Sequence, residues 1–173
     1  METNHQHSNS NNSMFEVRTA NQVLKDAANL PDPIELFSPL IIQGELIILF
    51  ADTGIGKTAL IVQVGIQIAK ADWIVFYIDL ELSDKQFEKR YRNPDGVHFQ
   101  FPQTFFRASY ASLRTMPEME YEKFFIKSLK DSISQTQASV IIIDNMTKVV
   151  SGDTDSAKNT IPIMNSLSEL KSA

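Results

Sequence analysis

The segment Ala51-Asp-Thr-Gly-Ile-Gly-Lys-Thr58 carries the clearest chemistry in this sequence. Gly54 and Gly56 let the backbone fold around an anion so that successive N–H groups point inward. Lys57 supplies a point charge for the β- and γ-phosphates of a nucleotide, and the Thr58 hydroxyl supplies a ligand for Mg²⁺. Thr53, Gly54, Ile55, Gly56, Lys57, Thr58 and Ala59 are therefore the candidate nucleotide cradle, with Lys57 also assigned a catalytic role on the phosphates. Ala51 stands where such loops usually have Gly, and Ala is tolerated there if its φ is negative. The plainer alternative is a glycine turn with an incidental Lys-Thr. An apolar run before the segment and a helical pattern after it argue for the phosphate loop.

Two carboxylates complete the candidate chemistry. Asp144 closes the apolar run Val140-Ile-Ile-Ile143 and is expected at the C-terminal end of a buried strand, where ligands bind in open α/β sheets. There it would hold Mg²⁺ through water. Glu81 ends Tyr77-Ile-Asp-Leu-Glu81, just past the strand that follows the phosphate-loop helix, and is the candidate base for the water that attacks the γ-phosphate. Asp79 is either a second ligand or a competitor for that role. The plainer roles are a turn cap for Asp144 and a helix-initiating acid near Ser83 for Glu81.

The elements that must position these groups are legible from periodicity. A short helix is predicted over Ala20–Ala28 with Thr19 as N-cap. Pro31 and Pro33 force extended chain. Leu40–Ile42 and Leu46–Phe50 read as strands around a Gln43-Gly44 turn, the second without alternation, as in a parallel strand covered on both faces. Lys57–Lys70 reads as a helix with Ala59, Val62, Ile66 and Ala69 at helical spacing. Trp73–Leu80, Phe105–Tyr110 and Val140–Asp144 read as strands. Helices are predicted over Ser83–Arg92, from Pro117 to about Ser134 with Met119, Phe124, Phe125 and Leu129 inward, and over Ile161–Ser172. Asn93-Pro94-Asp95-Gly96 is a turn. Strands alternating with helices give an α/β domain with a mainly parallel sheet.

The chain has 173 residues, 43% hydrophobic and 21% charged, enough for one domain with a core. It has no cysteine, which excludes disulfides, thiolate metal sites and a Cys nucleophile. A net charge of -5 argues against a broad basic surface for nucleic acid. No apolar run is long enough for a transmembrane helix, and the first residues do not form a secretory signal, so a cytoplasmic location is expected. Residues 1–13, rich in Asn and Ser, are expected to be disordered, and His5 and His7 within them lack companion ligands. Trp73 and the Phe99, Phe101, Phe105 and Phe106 cluster read as packing rather than base stacking or an adenine cradle, and Arg90 and Arg92 as a solvated helix face.

Phosphate loop, acid after the next strand, then an apolar strand ending in Asp together resemble the RecA-like P-loop ATPases. The likeness is closest to the branch that includes DnaB and plasmid RepA-type replicative helicases and KaiC/RadA-like proteins. Ile34–Leu46 is similar to the "target, then Gly-Glu-Leu" entry of that branch, and Tyr77–Ser83 with Gln86 and Arg90 to the segment carrying its catalytic glutamate. The resemblance spans about residues 30–173, within an expected ATPase domain over residues 14–173. It implies a three-layer fold, ATP and Mg²⁺ as cofactors, Glu81 as base, Asp144 and Thr58 as metal ligands, and a homo-hexamer acting on DNA, with the loop Asn145–Thr160 and its Lys148 and Lys158 facing the nucleic acid. A solvated connection is the plainer role for that loop. The family continues past the helix that ends here, with a sensor strand and a basic finger. The chain is therefore expected to be an N-terminal part, incomplete at its C-terminus and poor in turnover alone. A regulatory or recombination ATPase that does not unwind DNA, and a nucleotide-dependent interaction module without hydrolysis, are the competing functions.

Overall fold

The computed structural model describes residues 16–52, 54–109, 118–149 and 157–171. The chain divides into two units after Pro33. The first carries α1, Ala20–Ala27, whose N-cap Thr19 accepts a hydrogen bond from the Gln22 amide at 3.2 Å, as the sequence predicts. The expected tail and its histidines lie outside the described residues.

The second unit, from Ile34 onward, holds the phosphate-loop helix and the sheet. It opens with β1, Glu35–Phe37, paired antiparallel with β2, Ile41–Ile42. Leu40, predicted at the head of the second strand, lies instead in the connecting turn and donates its amide to the Phe37 carbonyl at 2.8 Å.

The predicted strand Leu46–Phe50 does not form. These five side chains are 40% to 85% exposed, and the backbone has no ladder partner among the described residues. The physical reason is that a β-favouring run specifies extended backbone and a hydrophobic surface, not the neighbour whose N–H and C=O groups must meet its own. Among the described residues the main sheet ends at β4 on one side and β5 on the other, and neither edge takes this segment.

That main sheet is three-stranded and parallel, in the order β4 (Phe105–Ser109), β3 (Val75–Asp79), β5 (Val140–Asp144). Alternation divides its side chains between two cores. Val75, Tyr77 and Ile142 pack with Val62, Ile66, Ile68 and Ala69 of α2, Lys57–Lys70. Phe76, Ile78 and Leu80 pack on the opposite face with Leu129 of α4, Glu118–Thr136, and Ile163 of α5, Ala157–Lys171. Helix, sheet and helix pair thus make the three-layer α/β arrangement that the alternating pattern implies. Ala59, expected on the inner face of α2, is exposed, because the first turn precedes the part of the helix that crosses the sheet. In α4, Phe125 joins Leu129 in the core. Pro117 and the Met119 side chain lie outside the described residues. Helix α5 begins at Ala157, ahead of the predicted Ile161.

One glycine sets how closely α2 approaches the sheet. A Cβ at Gly65 would come within 2.9 Å of Ile142 Cδ1 and of Phe105 Cε2, and within 3.6 Å of Val75 Cγ1. The helix therefore lies over all three strands at a separation that only a bare Cα permits. Gly65→Val is expected to destabilise the fold by about 1–3 kcal/mol through overpacking. Equilibrium urea unfolding measures it, and an unchanged midpoint would show that the layer can expand without cost.

Candidate functional site

The site is built at one rim of the sheet. Parallel register sets Asp79 of β3 opposite Asp144 of β5 and Ser109 of β4, so three strands finish at one level. Residues 75, 77 and 79, like 140, 142 and 144, alternate toward the face that α2 covers, since Val75, Tyr77, Val140 and Ile142 all belong to that core. Thr104 Oγ1 donates to the Ala69 carbonyl at 2.8 Å, which ties the C-terminal end of α2 to the start of β4. The N-terminal end of α2, with Lys57 and Thr58, consequently lies toward the end of the sheet where Asp79 and Asp144 emerge.

The phosphate loop adopts the backbone its glycines were chosen for. Gly54 has φ +85° and Gly56 φ +96°, both left-handed, and a Cβ at either would strain the chain even though nothing lies within 4 Å. Gly56 is the N-cap of α2, and the first helical bond runs from the Leu60 amide to the Gly56 carbonyl at 2.9 Å. The amides of Lys57, Thr58 and Ala59 therefore have no partner inside the helix and carry its positive end. The Lys57 ammonium donates to the carbonyl oxygens of Ala51 and, at 2.9 Å, Asp52, closing the loop upon itself. Ile55 is exposed, and Thr53 lies outside the described residues.

Asp144 is 7% exposed, and its Oδ2 accepts the Tyr77 phenol at 2.9 Å. Burial first, then the negative charges of Asp144 and Asp79, push the Tyr77 phenol above its ordinary pKa, so Tyr77 stays a proton donor to Asp144. A hydroxyl from Thr58 and a carboxylate from Asp144 are the oxygen donors that Mg²⁺ takes. Among the described residues no group of three or more His, Cys, Asp or Glu could hold a metal ion. A hydroxyl and a carboxylate are donor types that fit a hard cation such as Mg²⁺.

Asp79 resolves differently from either sequence alternative. Its carboxylate is 1% exposed and fully engaged. Oδ1 accepts the amides of Glu81 at 3.1 Å and Leu82 at 2.9 Å, while Oδ2 meets the Arg107 guanidinium at 3.0 Å. Arg107 also reaches Asp84 at 2.7 Å and the Leu82 carbonyl at 2.7 Å, and lies 4.4 Å from the Phe87 ring centre. Asp79 therefore builds the turn that carries Glu81 instead of competing with it. Arg107 was not legible as part of the site, because nothing in its local sequence marks a cation two strands from the phosphate loop.

Glu81 follows β3 directly, and helix α3, Asp84–Arg90, is capped by Ser83 in a capping box with Gln86. The role of helix cap is thus filled by Ser83, and the Glu81 carboxylate accepts from Asn145 Nδ2, just past β5. Two strand exits that the sequence separates are joined there. The aromatic residues behave as packing: Phe101 lies 4.9 Å from Phe99, 5.1 Å from Phe105 and 5.6 Å from Phe87, against the α2 core. Phe106, by contrast, is 40% exposed and stands apart from that cluster. Trp73 packs against the same core, and Arg92 pairs with Glu88 at 3.3 Å on the solvated side of α3. In the loop Asn145–Thr160, residues 150–156 and the side chains of Lys148 and Lys158 lie outside the described residues.

A family model described as an AAA domain matches residues 13–173. No curated protein matches the chain.

The Arg107 network generates two predictions. Arg107→Ala leaves Asp79 buried without its cation and is expected to cost about 3 kcal/mol in urea unfolding. Arg107→Lys would not restore that loss, since an ammonium lacks the fork and the ring contact; a loss too small to measure would contradict the network. The Arg107 hydrogen bond and charge also hold the exposed Asp84 carboxyl below its usual pKa. A depressed folded pKa contributes stability above the unfolded value and loses it as pH falls, here below about pH 4. Asp84→Asn should therefore flatten the acid limb of stability against pH, and an unaltered limb would exclude that linkage.

Proposed function

The chain belongs to the AAA domain family, a family of P-loop ATPases, and from that premise we propose that it binds ATP with Mg²⁺ and hydrolyses it to drive work on DNA. The observation that carries this reading is the left-handed Gly54 and Gly56 loop opening α2 at the sheet end where Asp144 and Glu81 emerge.

In this reading the amides around Gly54–Thr58 and the Lys57 ammonium bind the triphosphate, exchanging the Ala51 and Asp52 carbonyls for phosphate oxygens. Thr58 and Asp144 hold Mg²⁺, which when bound neutralises charge on the phosphate oxygens. Glu81 accepts a proton from water as that water attacks the γ-phosphorus. One P–O bond forms, the bond to the bridging β–γ oxygen breaks, and ADP and inorganic phosphate result. The Tyr77 phenol keeps Asp144 in one orientation. The resemblance to DnaB- and RepA-type proteins supports DNA as the partner, replicative-helicase work as the output and a hexamer as the assembly.

In the intact protein, Lys57→Ala is expected to abolish ATP binding measured by calorimetry. Glu81→Gln should retain binding while lowering turnover by about 10²-fold or more, the scale of a general base. Undiminished hydrolysis in Glu81→Gln would remove the assigned base. Turnover stimulated by DNA together with strand separation supports the helicase output, and stimulation without separation contradicts it.

A further inference from the structure

The contact that joins the two strand exits reaches beyond the residues assigned so far. Asn145 donates from Nδ2 to Glu81 Oε1, and its Oδ1 accepts from Thr147 Oγ1. A carboxamide has one donor end and one acceptor end, and an ionised carboxylate only accepts, so Glu81 selects the Nδ2 end while the Thr147 hydroxyl, which can donate, braces the Oδ1 end. Turned over, Asn145 would set its oxygen against an anionic oxygen. The relay Thr147, Asn145, Glu81 therefore has a single favourable sense.

Both ends of this relay are anchored by packing or buried polar contacts. Thr147 lies in a 3₁₀ turn, Met146–Lys148, whose Met146 packs into the core beneath α4 and α5 and which leads into Val149, buried at 1% exposure. Glu81 has its backbone amide held by Asp79, and the Leu80 amide donates to the Asp144 carbonyl at 2.8 Å. Between these fixed backbones the Glu81 side chain is exposed and has several rotamers to lose. The Asn145 contact selects among them. It occupies Oε1 and leaves Oε2 to take a proton.

We propose that Asn145, oriented by Thr147, is a positioning residue for Glu81 that holds its carboxylate in the rotamer used for water activation. This rests on the reading of Glu81 as the base.

The test measures ATP affinity, KM and kcat of the intact protein with Asn145→Ala, Asn145→Asp, Thr147→Val and Thr147→Ser. Asn145→Ala and Thr147→Val are expected to lower kcat on the order of 10-fold, the cost of a misplaced catalytic group, with ATP affinity and KM unchanged. Asn145→Asp, which sets a carboxylate against Glu81 at nearly the same volume, should lower kcat at least as far. Thr147→Ser keeps the hydroxyl and should restore wild-type kcat. In a Glu81→Gln background Asn145→Ala should have no further effect, because the two act as a unit. Wild-type kcat in Asn145→Ala, or affinity falling in parallel with kcat, would overturn the positioning role while leaving the base intact. A wild-type protein that binds ATP but does not turn it over, or a Glu81→Gln variant as fast as wild type, would overturn the reading of Glu81 and the relay with it.

Discussion

Parallel pairing of β3 with β5, in the register that sets Asp79 level with Asp144, is the constraint on which this site rests. Side chains two apart on a strand share a face, so a slip of one residue would turn Asp144 away from α2 and put an aliphatic side chain at its level. The register is held by apolar packing on both sides of the sheet, with Tyr77 and Ile142 against α2 and Phe76 and Ile78 against the opposite helices. Chemistry at the rim is thus specified by aliphatic volume in the middle of the strands. The close approach of α2 at Gly65 extends the same constraint to the phosphate loop, since that helix carries Lys57 and Thr58 at its start.

The electrostatic design follows from placing two carboxylates side by side at a buried edge. Each is given donors of its own. Asp79 receives two backbone amides and the Arg107 guanidinium, and Asp144 receives the Tyr77 phenol. Partnered in this way, a buried carboxylate avoids the several kcal/mol that an uncompensated charge costs. The pairing also divides the labour. Asp79 has no oxygen to spare and shapes the turn, whereas Asp144 is held through Oδ2 by the Tyr77 phenol.

Much of this arrangement was legible in the sequence because it depends on local signals. Apolar runs bounded by turn residues located β3 and β5, and Thr19 and Ser83 located the starts of α1 and α3. Glycine spacing located the left-handed loop, since φ values of +85° and +96° are ones that glycine alone adopts freely. The misses share a cause. Leu46–Phe50 has the composition of a buried strand, yet pairing is a property of the neighbour and not of the segment. Arg107, Tyr77 and Asn145 act through partners 28, 67 and 64 residues away in the chain, so no window of sequence could connect them. Asp79 looked like a spare acid because its two amide partners become visible only once the chain turns after β3.

The most direct test of the central claim is a structure of the intact protein with a non-hydrolysable ATP analogue and Mg²⁺. The account predicts β- and γ-phosphate oxygens at hydrogen-bonding distance, about 3 Å, from the amides of Gly54 to Thr58, with the cation between the Thr58 hydroxyl and Asp144. Phosphates seated elsewhere, or a cation bound without either residue, would contradict it.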